Sequence, residues 1–353
     1  MKANRWRLII SLLLTLTVVV LVYVERDRIV SAFALLRGAQ PIWLFLALVL
    51  SFFSFFCTSL IYAIALRSLG YRHFGMLRVY AITIVALIVS QTVPAGGVFS
   101  YAFLTQVMRR RGVPPGHSTL LASLEAIVYV IALLIMFGFG IAYVTIRTGI
   151  GAAESTSLIA LVVPVLLVGG AIFLLTRSQE TLTRLALRAK NLVARILRRT
   201  WSDEPALKVV EDLTRGRELI GERPGVLAAM LVVEIAALIG HSIVMLLVLQ
   251  SLGAAVSPLV VVAAFGIVMF TSTFNVLPGG GGTVEAVLVL VLRGLGVGDE
   301  AIPAAVIFRL LNFWIMVPVA AICYWLLMRE PEVAALVDDA LAADAQPARR
   351  ASD

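Results

Sequence analysis

The stretch Asn275-Val276-Leu277-Pro278-Gly279-Gly280-Gly281-Gly282-Thr283-Val284-Glu285 interrupts an apolar segment that runs over 256–292. A proline followed by four glycines cannot continue a stable helix. After the break only about ten apolar residues remain before charge returns at Arg293, and at 1.5 Å rise they reach about 15 Å. That is half of the roughly 30 Å hydrocarbon slab of a bilayer. The segment therefore reads as a re-entrant helical hairpin, dipping into a membrane and returning to the same side. Non-helical backbone at that depth must face protein or a wet cavity, which makes the break a place to look for function.

A second break of the same kind lies upstream, where Val93-Pro94-Ala95-Gly96-Gly97 splits the apolar region 79–108. Pro94 and Pro278 are 184 residues apart, and at the same offset Gly96 matches Gly280, Gly97 matches Gly281, Arg109 matches Arg293 and Gly112-Val113 matches Gly296-Val297. Ser68-Leu69-Gly70 matches Ser251-Leu252-Gly253 at an offset of 183. Each half is a span, a hairpin and a span: repeat A over about 41–146, repeat B over about 225–328.

The remaining chain fits a lipid environment. Of its 353 residues 61% are hydrophobic and 14% charged, against about half and about a quarter in soluble domains. Full spans are expected at 8–24, 41–66, 118–146, 158–176, 225–250 and 302–328. The fold class is thus an all-α integral membrane protein: six full transmembrane helices plus two re-entrant hairpins in an inverted repeat. The single helix 158–176 between the halves makes the second insert upside down. The first span follows Lys2, Arg5 and Arg7 and is followed by Glu25-Arg26-Asp27-Arg28 rather than a small-residue cleavage site, so it reads as a retained anchor.

The net charge of +8 sits between apolar spans and not in a nucleic-acid-reading module. The loop 177–224 holds eleven Lys or Arg against seven Asp or Glu, which places it in the cytoplasm with both chain termini, in a cell membrane. Within it Leu182, Leu185, Ala189, Leu192, Val193 and Ile196 keep helical spacing among arginines, as in a helix lying on a membrane surface. The transmembrane domain covers 1–328, and 329–353 is a polar cytoplasmic tail. Cys57 and Cys323 both fall in apolar stretches and read as packing residues.

At these motifs the chain resembles the membrane domain of the lysylphosphatidylglycerol synthase family, also called flippase-like. The likeness is best at Leu277-Pro278-Gly279-Gly280-Gly281-Gly282-Thr283-Val284-Glu285-Ala286. It extends to Phe308-Arg309-Leu310-Leu311-Asn312-Phe313-Trp314, which is similar to the family's Tyr-Arg-Leu-Leu-x-x-Trp segment, and covers roughly residues 5–328. The resemblance implies a lipid-translocating or lipid-handling domain. In some members it precedes a soluble aminoacyl-transferase domain, for which the tail here is too short. The first half departs from the family's Pro-Gly-Arg-x-Gly-Glu break and following Glu-Arg pair: this chain has Pro94-Ala95-Gly96-Gly97-Val98-Phe99 and then Glu125-Ala126.

The candidate substrate-binding residues are Asn275, the Pro278, Gly279, Gly280, Gly281 and Gly282 turn, Glu285, Arg309, Glu125, Glu234, and Pro94, Gly96 and Gly97 of the first break. Successive backbone N–H groups at Gly279–Gly282, just before a half-helix, favour an anion such as phosphate; the alternative is that the glycines only allow the turn. Arg309 lies about 10 Å inside its helix, where a charge needs a partner. Glu285 is its structural candidate and a lipid phosphate its functional one. Glu125, the repeat-mate of Arg309, reads as a proton-coupling or headgroup-binding acid, with Gln91 as a candidate hydrogen-bond partner. Glu234 is a second acid, His241 reads as a packing histidine, and Asn275 and Asn312 as braces of broken helices.

No Gly-x-Ser-x-Gly, His-Glu-x-x-His, Walker A or nucleotide-binding pattern is present, and no cofactor is implied. The expected function is translocation of an anionic, phosphate-bearing lipid, a phospholipid or a polyprenyl-phosphate species. Two alternatives stay open: a non-transporting membrane partner that presents lipid to a separate glycosyl- or aminoacyl-transferase, and a lipid-modifying enzyme. Nucleic acid is not an expected partner.

Overall fold

The computed structural model describes residues 36–92, 96–148, 179–196, 202–203, 207, 210–211, 214, 224–273 and 283–329. The expected spans 8–24 and 158–176, the tail, and the two breaks at 93–95 and 274–282 lie outside the described residues. The described elements are all helical: α1 (Pro41–Ser68), α2 (Met76–Thr92), α3 (Gly96–Arg109), α4 (Pro115–Thr148), α5 (Gln179–Ile196), α6 (Pro224–Ser251), α7 (Pro258–Ser272), α8 (Thr283–Gly294), α9 (Ala301–Arg309), a π segment (Leu310–Trp314) and α10 (Met316–Arg329).

Among the described residues four helices are long and apolar enough to cross a membrane: Pro41–Ser68, Gly116–Arg147, Pro224–Ser251 and the run Ala301–Arg329. The pairs α2 with α3 and α7 with α8 are shorter, from about 18 to about 26 Å at 1.5 Å per residue, and the two helices of each pair pack on each other. The chain is a multi-pass membrane protein. Its surface agrees: Ile42, Phe45, Val49 and Phe53 form an exposed stripe at three- and four-residue spacing on α1, while Ser51, Ser54 and Thr58 are buried. Apolar groups outside and small polar groups inside is the arrangement that lipid stabilises. The buried hydroxyls are satisfied locally, Ser54 donating to the Leu50 carbonyl at 2.9 Å, Thr83 to Val79 at 2.9 Å and Ser242 to Leu238 at 2.9 Å.

Helix contacts occur in pairs that the sequence offset relates. α1 packs on α6, its counterpart; α4 packs on α7 as α10 packs on α2; α3 packs on α4 as α8 packs on α9; and α6 packs on α9 as α1 packs on α4. α1 and α6 run antiparallel. The Gln40 amide at the start of α1 donates to the Ser251 carbonyl at the end of α6 at 2.8 Å, and further along the Phe55 and His241 rings meet edge to face at 5.1 Å. The approach is close: a Cβ on Gly240 would lie 2.4 Å from the Ser54 hydroxyl.

Helix ends repeat as well. The positive-φ glycines of the described residues are Gly70, Gly112, Gly253 and Gly296, which are the four glycines that the sequence offset pairs. At each, the following amide reaches back to close the last helical turn: Tyr71 to Leu66 at 2.9 Å, Val113 to Met108 at 3.1 Å, Ala254 to Leu249 at 3.1 Å and Val297 to Leu292 at 3.0 Å. Only glycine takes this left-handed cap without strain. One expectation changes: the helix over 302–328 is not uniform but carries a π turn at Leu310–Trp314.

Candidate functional site

Two groups of charged residues lie among the apolar helices. In the first, Glu285 occupies the first turn of α8 and Arg309 ends α9, two helices that pack together. Arg309 Nε lies 3.2 Å from Glu285 Oε1, the side chains being 15% and 22% exposed. The guanidinium carbon also sits 4.2 Å above the Phe313 ring, a cation–π contact strengthened by exclusion of water. Glu285 Oε2 is buried and has no hydrogen-bond partner among the described residues. Beside the pair, a groove of about 370 Å³ opens between α8 and α9, lined by Glu285, Val289, Leu290, Ile302, Ala305 and Val306, with Arg293 along it. A charged end on an apolar trough suits an amphiphile.

The π turn places Asn312 beside this group. Its Oδ1 accepts a hydrogen bond from Ser51 Oγ at 3.1 Å, and its side chain also bonds His241. The braces thus join α1, α6 and the last span. His241 Nδ1 is buried without a partner among the described residues, and the ring stands against Phe55 and Phe265. π turns recur where a helix is adapted for function rather than for regularity.

In the second group, Glu125 on α4 has the Tyr62 hydroxyl of α1 as its side-chain hydrogen-bond partner. Gln91, offered from the sequence as that partner, is exposed at the end of α2. Glu234 on α6 is only 4% exposed and lies within electrostatic range of Glu125, Tyr62 and Tyr129. Sequence reading missed Tyr62 and Tyr129. Tyr129 follows Glu125 by one helical turn and was legible as a same-face neighbour; Tyr62 was not.

Of the other candidates, Gly96 and Gly97 open α3. Asn275, Pro278, Gly279, Gly280, Gly281, Gly282 and Pro94 lie outside the described residues. Cys57 and Cys323 are free thiols. Among the described residues no group of three His, Cys, Asp or Glu is placed to hold a metal.

The sequence pattern of the lysylphosphatidylglycerol synthase TM region matches residues 8–320 of this chain. The chain belongs to that family. Comparison with curated proteins gave no match. Within the lysylphosphatidylglycerol synthase TM family this chain is a membrane protein related to lipid handling, and both charged groups fall inside the matched region.

Proposed function

We propose that this chain translocates an anionic, phosphate-bearing lipid, a phospholipid or a polyprenyl phosphate, through a cavity between two inverted halves in a cell membrane. The observation that carries the reading is the Arg309–Glu285 pair at 3.2 Å at the edge of an apolar groove. An arginine held by a carboxylate is poised to exchange it for a phosphate, which likewise offers two anionic acceptor oxygens to the guanidinium fork. The apolar trough beside it matches the acyl or isoprenoid part of such a ligand.

The antiparallel packing of α1 on α6 and the exchange symmetry of the helix contacts support inversion of the halves. In this reading α2–α3 and α7–α8 are the re-entrant hairpins. Both chain termini are cytoplasmic. The protein moves its lipid without covalent chemistry, and a separate transferase is a natural partner for the product. The reading is tested by lipid movement in proteoliposomes, wild type against Arg309→Ala.

A further inference from the structure

The charge inventory inside the membrane does not close. Among the described residues, the ionisable groups well inside the spans and hairpins include Glu125, Glu234, Glu285 and Arg309, and the arginine is engaged by Glu285. Glu125 occupies the eleventh position of Pro115–Thr148 and Glu234 the eleventh of Pro224–Ser251. Both helices begin just after basic residues, Arg109 to Arg111 and Arg223, and they pack on each other. Ten residues of rise bring both carboxylates to the same depth, about 15 Å in from that end.

Glu234 is 96% buried, and its carboxylate has no hydrogen-bond donor or cationic partner among the described residues; its charged neighbour is another carboxylate. The groups facing it are Glu125 and Tyr129 from α4 and Tyr62 from α1. His241, two turns further along α6, is turned to Asn312 instead. Two carboxylates at one depth cannot both stay ionised and uncompensated in a medium that screens poorly. These two acids and two phenols, which act on one another electrostatically, bring oxygen donors from three helices and no positive charge of their own.

We propose that Glu125 and Glu234, flanked by Tyr62 and Tyr129, bind one small monovalent cation, a proton or a sodium ion, between α1, α4 and α6. The coupling role of this site rests on the transport reading above: a cation held between counterpart helices drives the exchange at Arg309 by changing which arrangement of the halves is stable. The binding itself requires no lipid. The repeat explains why the site is acidic here, because Glu125 stands where the second half has Arg309 and Glu234 where the first half has Ser51.

The test is thermal unfolding of the purified full-length chain in nanodiscs of zwitterionic lipid. One arm replaces choline chloride by sodium chloride at fixed pH and ionic strength; the other lowers pH without sodium. Wild type is expected to gain about 2 to 4 °C in one arm, and Glu234→Gln and Glu125→Gln to lose that gain. A gain with sodium assigns sodium; a gain with acid alone assigns the proton. If one variant does not fold, as judged by its elution profile, the other decides. A wild type flat in both arms overturns the proposal, and so does a gain that persists in the variants. Because no lipid movement is measured, a flat response beside intact lipid transport removes this site and leaves the Arg309 reading standing.

Discussion

Arg309 Nε lies 3.2 Å from Glu285 Oε1, while the second oxygen of the same carboxylate, Oε2, is buried without a partner among the described residues. The guanidinium therefore satisfies one oxygen of this acid. Charge-assisted hydrogen bonds of this kind contribute about 1.5 to 3 kcal/mol. In a double-mutant cycle with Glu285→Gln and Arg309→Met, each single change is expected to cost about that much. The double change is expected to cost at least about 1 kcal/mol less than their sum. Chemical or thermal unfolding in detergent reads the coupling; additive costs would show the pair to be incidental.

Glycines at helix contacts separate by what a methyl group would meet. A Cβ on Gly266 of α7 would fall 2.3 Å from the Met136 carbonyl oxygen of α4, and backbone cannot move aside cheaply. Gly266→Ala is expected to destabilise by about 1 to 3 kcal/mol. At Gly138 nothing lies within 4 Å, so Gly138→Ala is expected to be neutral or slightly stabilising, by up to about 1 kcal/mol. Melting temperatures of the two variants, prepared side by side, check the contrast.

Asn312 binds Ser51 of α1 and His241 of α6 from within the π turn. Asn312→Ala strands both and is expected to cost about 1 to 3 kcal/mol, whereas Ser51→Ala removes one donor and is expected to cost about 1 kcal/mol or less. Equal costs for the two variants would mean that the His241 contact contributes nothing.

Inversion of the halves predicts opposite labelling of loops that occupy equivalent places in the repeats. With Cys57 and Cys323 changed to serine, Asp299→Cys in the loop after α8 is expected to react with a membrane-impermeant maleimide added outside intact cells. Pro114→Cys, in the corresponding loop after α3, is expected to react only after permeabilisation. Labelling of both from one side would contradict the inversion.

Much of this architecture is written in local chemistry. The matched glycines Gly70, Gly112, Gly253 and Gly296 are readable because a left-handed cap admits few other residues, and all four have positive φ. The helix Gln179–Ile196 follows from its apolar spacing. The Glu285–Arg309 contact was open to reading because a membrane arginine needs an acid and few are present. What could not be read depends on packing between distant segments. The apolar pattern of Leu310–Trp314 fits an α-helix as well as a π turn, since one extra residue barely shifts which side chains face inward. Glu125 meets Tyr62 and not Gln91 because α1 and α4 pack in three dimensions, and nothing in the spacing of 63 residues encodes that.

The most direct measurement is lipid movement in proteoliposomes holding the purified chain, with a fluorescent anionic phospholipid and a zwitterionic one followed by loss of signal to an impermeant quencher. Wild type is expected to move the anionic lipid well above the rate of protein-free vesicles, and Arg309→Ala to fall to that background while eluting as a folded species. Arg309→Ala moving the anionic lipid as fast as wild type, or wild type moving it no faster than empty vesicles, would contradict a phosphate-receiving role for Arg309.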